Sequence, residues 1–239
     1  MPNVSFCIPC YNEQAVIKRC IESIRKEAKR YVDLNYEILV IDNASTDWTA
    51  EVARACNVKV ISEPNKGIVH ARMAGFKAAQ YEYIANIDAD NVIPSFWLQK
   101  SLDSFDEKTV AISGPIVYIE FSRFLRIMTQ FFYFIGYICH NTIGEIFQGG
   151  NFIVKKSALN DIGGYDTSIN FYGEDTSTGQ RLSKVGKVRF VPKMWLYSSA
   201  RRMNKEGVIT TTTRYALNYL SITFLKRPIT KQYQDIRPL

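Results

Sequence analysis

The sequence has few histidines and cysteines, which narrows the kinds of site that it can build. Only two histidines occur in 239 residues, and no cluster of histidine and cysteine has the spacing of a zinc site. The cysteines, at positions 7, 10, 20, 56 and 139, are odd in number. A disulfide framework is therefore not expected, and a reducing cytoplasm fits best.

Long apolar runs are also lacking. The nearest candidate is the uncharged segment 127–144, whose apolar centre at 131–138 is shorter than the roughly 20 residues that a bilayer span requires. No basic start or cleavage site of a secretory signal follows Met1. We expect the wider aromatic segment 124–147 to be an interfacial or groove-lining helix, with a core helix as the alternative. A cytoplasmic protein with peripheral contact at the inner face of a membrane follows from the first reading.

The charge balance favours anionic partners. The formal net charge is +7, and hydrophobic residues make up 46% of the chain, as in ordinary folded proteins. A mildly basic surface suits nucleotides, phosphates or acidic headgroups. No motif of a nucleic-acid-binding module accompanies this charge, so no nucleic acid partner is expected.

The first half of the chain alternates apolar runs with segments of helical periodicity. Strands are predicted at 4–7, 37–41, 58–62 and 83–87, each followed by a helix. This order is typical of an α/β fold, with a parallel sheet covered by helices on both faces.

The second half is less regular. We predict a strand over 110–119, then the aromatic helix, a strand over 151–154 and an amphipathic helix over 208–225.

No linker separates the two halves. We therefore predict one domain over 1–225 with two unequal lobes, 1–110 and 111–225, followed by a basic tail over 226–239.

Polar residues follow three of the predicted strands, at Pro9–Glu13, Asp42–Asn43 and Asp88–Asp90. Ligands bind beyond the carboxyl ends of the strands in an open parallel sheet, so these residues would meet at one rim. Asparagine and aspartate also make turns after strands, but three such ends at one rim predict a nucleotide site.

Asp88 and Asp90 lie two positions apart at a strand end. Alternate side chains share a face in extended chain, and two carboxylates held together favour a hard divalent cation. Mn2+ or Mg2+ takes one or two carboxylates and completes its shell with phosphate oxygens and water. The pair therefore predicts a metal site that neutralises a diphosphate.

A second acidic pair, Glu174 and Asp175, begins a predicted helix. Acidic side chains favour helix N-termini on electrostatic grounds alone, and a carboxylate there also suits proton abstraction from an acceptor hydroxyl. The residues leave both interpretations open. Candidate partners for phosphate are Lys66, Arg72, Arg201 and Arg202.

Several segments, in this order, resemble glycosyltransferase family 2, whose members have the GT-A fold. The segments are Pro9–Glu13, Val40–Asp47, Asn65–Arg72, Asp88–Asp90, Gly149–Asn151, Gly163–Asp166 and Gly173–Asp175. They extend over about residues 4–200, and the ordered set is specific. The resemblance implies a Rossmann-like, mostly parallel sheet with helices on both faces and a smaller C-terminal part that binds the acceptor.

The resemblance also implies an activity: transfer of a sugar from a nucleotide-diphosphate donor, with inversion, to a hydroxyl acceptor. Uracil is the expected base, with guanine and thymine open. Residues 1–110 would bind the nucleotide and 111–225 the acceptor, a glycan or a lipid-linked sugar. The aromatic segment 124–147 and the basic tail favour the lipid-linked or membrane-proximal choice.

The family's functional residues map onto named positions. By resemblance, Pro9, Tyr11, Glu13 and Asp42 hold the base and ribose, Arg72 lies near the nucleotide, Asp88 and Asp90 bind metal and ribose, Gly149, Gly150 and Asn151 face the donor sugar, and Asp175 is the base, with Glu174 second. Of the metal ligands, Asp90 is the better match.

The chain departs from the family at two places. Many members carry a histidine metal ligand where this chain reads Tyr197–Arg202, so we expect a weakly held metal, with arginines taking part of the diphosphate charge. The Q-x-x-R-W signature of processive synthases is also missing, which favours transfer of a single sugar.

Other classes remain as alternatives. A GT-A domain that binds nucleotide without turnover fits the missing histidine, and a nucleotidyltransferase would release pyrophosphate instead. Cys7 and Cys10 have the spacing of a thioredoxin-like redox pair, which would need one thiol of lowered pKa.

Overall fold

A sheet of seven strands forms the centre of the molecule. The computed structural model describes residues 2–142, 147–169 and 172–230. The strands of the described residues are β1 Val4–Cys10, β2 Tyr36–Asp42, β3 Lys59–Ser62, β4 Tyr83–Ile87, β5 Thr109–Ser113, β6 Ile116–Tyr118, β7 Asn151–Lys155, β8 Lys187–Phe190 and β9 Leu196–Ser198. All of them except β6 and β9 belong to the large sheet. The strand order in the large sheet is β3-β2-β1-β4-β7-β5-β8. Only β7 runs antiparallel to its neighbours, so the predicted mostly parallel sheet is confirmed.

Helices cover both faces of this sheet. They are α1 Ile17–Ala28, α2 Thr49–Ala55, α3 Ile68–Ala78, α4 Trp97–Leu102, α5 Arg123–Thr142, α6 Lys156–Asp161, α7 Glu174–Leu182, α8 Arg201–Glu206 and α9 Val208–Leu225. Helices α1, α2 and α4 pack with Phe6 and Ile8 of β1 on one face, and α3, α6 and α7 pack with Cys7 on the other. Alternate residues of β1 therefore enter two cores, and all seven residues of the strand are buried.

The predicted strand 110–119 is wrong in one respect, because the structure divides it. Strand β5 ends at Ser113, and β6 leaves the large sheet to pair with β9 in a parallel two-stranded sheet. Pro115 lies at the break, and it lacks the N–H that a continuous ladder would need. A Cβ at Gly114 would overlap the Met194 carbonyl, so the chain also passes very close to a neighbouring segment.

The aromatic helix α5 is not a core helix. Its side chains Phe124, Phe131, Phe134 and Ile138 are exposed, while Tyr133 stacks on Phe190 of β8 at 6.1 Å between ring centroids. Among the helices in the ranges described above, none combines the length and the hydrophobicity of a membrane span. Residues 143–146 of the predicted segment 124–147, and 231–239 of the predicted tail, lie outside the described residues.

Candidate functional site

A cavity of about 800 Å3 lies beyond the carboxyl ends of β1, β2 and β4. Its volume is in the range of small-molecule sites. The predicted site residues that line it are Pro9, Tyr11, Glu13, Lys66, Arg72, Asp88, Asp90, Gly149, Glu174, Asp175, Arg201 and Arg202. Segments far apart in the chain therefore bring their charged groups to one cavity.

Asp88 and Asp90 follow β4 and contact different arginines. The Asp88 Oδ1 atom is 3.6 Å from Arg72 Nη2 and is buried without a hydrogen-bond partner. The Asp90 Oδ2 atom is 3.3 Å from Arg201 Nη2. Burial raises the pKa of Asp90 to about 6, although Arg201 opposes the shift; Asp88 and Glu13 reinforce it.

Arg201, the first residue of α8, stands in the segment where the resemblance implied a histidine. Its Nη1 donates to Glu13 Oε2 at 2.8 Å, and its Nη2 donates to Glu13 Oε1. The pair is bidentate, and the Glu13 side chain is only 3% exposed. Sequence reasoning named both residues but gave no signal that they contact each other.

Arg72 of α3 and Glu174 of α7 form a buried ion pair at the floor of the cavity. Burial raises the pKa of Glu174 to about 7, against the opposing charge of Arg72. Burial acts to lower the pKa of Arg72, but Glu174 and Asp88 outweigh it and the pKa is raised. Arg72 therefore stays charged and is held by protein carboxylates.

Asp175 is held by backbone donors. The Gly149 N–H donates to its Oδ2 at 3.1 Å, and the Thr176 N–H donates to its Oδ1 at 2.8 Å. Burial raises the pKa of Asp175, although both backbone hydrogen bonds and Arg72 act to lower it. Burial makes this carboxylate a stronger base than an exposed aspartate, as proton abstraction from a hydroxyl requires.

The glycines at 149 and 150 make room for the acidic groups. Gly150 has φ +74°, and a Cβ there would overlap the Asp88 carboxylate. A Cβ at Gly149 would lie 3.3 Å from Asp175 Oδ2. Gly149 lines the cavity. Gly150, which the resemblance also placed at the donor sugar, is outside the lining and packs against the Asp88 carboxylate, where only a glycine fits without displacing it.

Asn151 does not face the cavity, contrary to the role that the resemblance implied. Its side chain is fully buried and donates to the carbonyls of Pro115 at 3.0 Å and Met194 at 2.7 Å. It also accepts from Trp97 Nε1 at 3.1 Å. These bonds fix the break between β5 and β6, because the backbone carbonyls freed there need donors.

Asn43 takes the position at the cavity that was predicted for Asp42. Asp42 is outside the cavity lining, and its Oδ1 is buried without a hydrogen-bond partner. Asn43 lines the cavity, donates to Asn65 O at 2.7 Å and accepts from the Gly67 N–H at 2.7 Å. It thereby holds the loop that carries Lys66. In the sequence, Asn43 could have been chosen instead of Asp42 because both follow the end of the same strand.

Lys66 and Tyr11 form one wall of the cavity. Lys66 Nζ lies 3.8 Å from the centroid of the Tyr11 ring, a cation–π contact. Asn12, in the loop after β1, accepts a hydrogen bond from the Thr46 N–H at 2.8 Å and adopts φ 52°. The loop after β1 is thus fastened to the loop after β2.

The acidic groups fit a metal that draws most of its shell from a ligand. No group of three or more histidine, cysteine, aspartate or glutamate side chains could hold a metal in the part of the chain that the structure describes. Two carboxylates, Asp88 and Asp90, do line the cavity together. The buried and unbonded Asp88 Oδ1 lacks a donor, as a metal ligand would.

The redox alternative is wrong. Cys7 and Cys10 belong to cores on opposite faces of the sheet, so their sulfur atoms point apart. Burial also raises the pKa of Cys7, where a redox pair needs a lowered value.

The chain belongs to glycosyl transferase family 2, because the model of that family matches residues 5–163, more than half of the sequence. It is 29% identical over 188 residues to the poly-beta-1,6-N-acetyl-D-glucosamine synthase of Staphylococcus epidermidis, which covers 70% of this chain. The chain spans 42% of the length of that relative.

Solved structures share the fold. A mannosyltransferase from Pyrobaculum calidifontis, in complex with GDP-Man and Mn2+, aligns with TM-score 0.74 and 20% identity over 94% of this chain and 64% of its own. The glucosyl-3-phosphoglycerate synthase of Mycobacterium tuberculosis, in complex with Mn2+, uridine diphosphate and phosphoglyceric acid, aligns with TM-score 0.65 and 18% identity. That alignment covers 93% of this chain and 79% of the synthase chain. The predicted GT-A fold is confirmed.

Proposed function

We propose that this chain transfers one sugar from a nucleotide-diphosphate donor to a hydroxyl acceptor, with inversion at the anomeric carbon. One observation carries the proposal: Asp88, Asp90 and Asp175 reach the same cavity from distant segments. An inverting transfer needs a base on one side of the sugar and positive charge at the diphosphate on the other. Arg72 and Arg201 line the same cavity and supply resident positive charge.

Residues 1–110 bind the donor nucleotide in this proposal. Tyr11, Asn43 and Lys66 line the side of the cavity formed by the loops after β1 and β2, where an aromatic ring and amide suit a base and ribose. UDP is the proposed nucleotide, as the Mycobacterium tuberculosis structure contains uridine diphosphate. GDP is the competitor to test, because the Pyrobaculum protein is in complex with GDP-Man.

Asp88 and Asp90 would hold a divalent cation, Mn2+ or Mg2+, together with donor phosphate oxygens. The cation supplies neutralisation of the charge that develops on the leaving diphosphate. Both solved relatives named above are in complex with Mn2+, and the unbonded Asp88 Oδ1 supports the same donor set here.

Asp175 is the proposed base. It removes the proton of the acceptor hydroxyl, whose oxygen bonds to the anomeric carbon while the bond from that carbon to the diphosphate breaks. Glu174 is the weaker candidate, since its carboxylate is bound to Arg72 and side-chain exposure is only 9%. The hydrogen bonds from Gly149 and Thr176 orient the Asp175 carboxylate.

Residues 111–225 bind the acceptor, for which we propose a lipid-linked or membrane-proximal sugar. Helices α5 and α9 both line the cavity, with Phe132 and Tyr133 on α5 and Tyr215 on α9. Both helices carry exposed apolar side chains, and basic residues lie at the start of α5 and just after the end of α9. The exposed side chains are Phe124, Ile127, Phe131, Phe134, Leu217, Leu220, Phe224 and Leu225, with Arg123, Lys226 and Arg227 at the ends.

This pattern suits a surface that lies on anionic lipid at the inner face of a membrane. Co-sedimentation with vesicles of phosphatidylglycerol and phosphatidylcholine tests it. Phe131→Ser and Phe134→Ser together should abolish binding, and Val32→Ser, which removes an exposed apolar side chain elsewhere, should not. Negligible binding of the unaltered protein would remove the membrane contact from the proposal.

The central experiment measures nucleoside diphosphate released from UDP-, GDP- and dTDP-sugars, with and without Mn2+. Metal-dependent release of UDP supports the proposal. Nucleotide binding without any release would favour a domain that has lost turnover, and release of pyrophosphate would indicate a nucleotidyltransferase. A thermal shift with each nucleoside diphosphate identifies the base independently, because ligands raise the melting temperature by mass action.

A further inference from the structure

Both oxygens of the Asp90 carboxylate already have polar neighbours in the protein. Arg201 Nη2 lies 3.3 Å from Oδ2, and the Ser198 hydroxyl donates to Oδ1 at 3.5 Å. The Asp90 side chain is only 12% exposed, so few routes remain by which a cation could reach it. Asp90 and Arg201 both line the cavity, so a cation that reaches Asp90 Oδ2 from it would meet Arg201 there.

The position of Arg201 is fixed by Glu13 more firmly than by Asp90. The bidentate contact with Glu13 includes a hydrogen bond of 2.8 Å, whereas the Asp90 contact is a single longer one. The loop that carries Glu13 is itself held, because the Glu13 N–H donates to Thr49 Oγ1 at 2.7 Å. Arg201 can thus lose Asp90 and still keep a carboxylate partner.

A divalent cation at Asp90 and the guanidinium of Arg201 carry like charges and would be a few ångströms apart. They cannot share one carboxylate oxygen without a repulsion that costs more in this partly buried site than in water. A metal-bound diphosphate brings additional negative charge, which gives Arg201 a new partner.

We propose that Arg201 is a positioning residue that competes with the metal for Asp90 and passes from Asp90 to the diphosphate when metal-bound donor enters. The inference rests on the proposed function, and it assigns to Arg201 the control of metal binding in that site. In the donor-free protein Arg201 weakens metal binding, and in the donor complex it strengthens nucleotide binding. Metal and donor therefore bind cooperatively.

The test compares Mn2+ affinity without nucleotide, read from the electron paramagnetic resonance signal of free Mn2+. Arg201→Met should bind Mn2+ about tenfold more tightly, the effect of removing one nearby charge from a partly exposed site. With saturating Mn2+, the same variant should bind UDP about tenfold more weakly, because a charge-assisted contact is lost. A merely structural role for Arg201 would weaken both.

Arg201→Met leaves the buried Glu13 carboxylate without this partner, so a second variant is needed. The double variant Glu13→Gln, Arg201→Met removes one charge of each sign and keeps the local net charge unchanged. It should still bind Mn2+ more tightly than the unaltered protein, because Asp90 is released. The control is Arg189→Met. Arg189 lies on β8 and pairs with Asp106, so its removal should leave both affinities unchanged.

The inference is overturned if neither Arg201 variant binds Mn2+ more tightly while both keep the melting temperature of a folded protein. This outcome is separable from failure of the proposed function. If the protein releases nucleoside diphosphate but the Arg201 variants have unchanged Mn2+ affinities, only the competition between Arg201 and the metal is disproved. Absence of release from every donor would remove the proposed function and leave the Mn2+ comparison measurable.

Discussion

Arg72 and Glu174 form a buried ion pair although 102 positions separate them in the chain. The pair joins α3, which follows β3, to α7, which carries the proposed base beside Glu174. Their side chains are 2% and 9% exposed, so neither charge has water as a substitute partner. Arg72 also stands 3.6 Å from Asp88, and the pair therefore fixes the two acidic motifs relative to each other.

Replacing Arg72 by methionine should lower the free energy of unfolding by about 3 kcal/mol at pH 8, because Glu174 is left as an uncompensated buried charge. At pH 6 the loss should be smaller, since an unpaired Glu174 then takes a proton. Urea denaturation at the two pH values measures both. The control is Arg189→Met, whose ion pair with Asp106 is exposed and should contribute less than about 1 kcal/mol. Equal effects of the two substitutions would contradict the prediction.

The titration of Glu174 predicts how stability depends on pH. Its pKa is raised from 4.5 to about 7 on folding, chiefly by burial, so the folded state binds the proton more tightly. The resulting stabilisation is complete below pH 4.5 and is lost as pH rises through about 7. The free energy of unfolding should therefore fall across this window, and Glu174→Gln should make the fall shallower. Asp175 shifts in the same direction, so a residual slope is expected. Identical slopes with and without the Glu174 carboxyl would disprove its part in the effect.

Asp175→Asn tests the assignment of the base. The amide keeps the size of the side chain but cannot accept the acceptor proton, so turnover should fall by at least about 100-fold. Donor binding should stay near normal, because the lost charge is not at the nucleotide in our proposal. Nucleoside diphosphate release and a UDP thermal shift separate the two effects. Near-normal turnover would move the base to Glu174.

The local pattern of the sequence was enough for most elements and for the position of Asp88 and Asp90 directly after a strand. Helix α9 begins at Val208 and ends at Leu225, as its periodicity predicted, and β4 ends directly before Asp88. Both depend on neighbouring residues, whose spacing the sequence displays. The prediction missed the division of strand 110–119, although Pro115 interrupts the run.

Contacts between distant segments could not be predicted in this way. Arg201 and Glu13 are 188 positions apart, and no periodicity pairs them. Glu27 of α1 accepts the N–H groups of Phe96 and Leu98 at 3.0 Å each, so it satisfies the start of α4 from another helix. Without coordinates, Glu27 is one more charge on a helix. Asn151 shows the opposite error. The resemblance assigned it to the donor sugar, but its side chain is buried in the core and has a structural role.

Gly150→Ala tests whether the proposed metal site depends on a backbone position. Two costs are expected: the strain of φ +74° for a residue with a Cβ, about 1 kcal/mol, and displacement of the Asp88 carboxylate that the Cβ would overlap. Gly163 provides a matched control, with φ +72° and nothing within 4 Å of a Cβ. Both alanine variants should lose about the same stability to backbone strain, and Gly150→Ala should lose more through the displaced Asp88. Only Gly150→Ala should weaken Mn2+-dependent binding of UDP, by about tenfold or more. Calorimetric titration with UDP and Mn2+ measures this. Equal UDP affinities for the two variants would show that Asp88 need not be held where the structure has it, and the two-carboxylate site would then reduce to Asp90 alone.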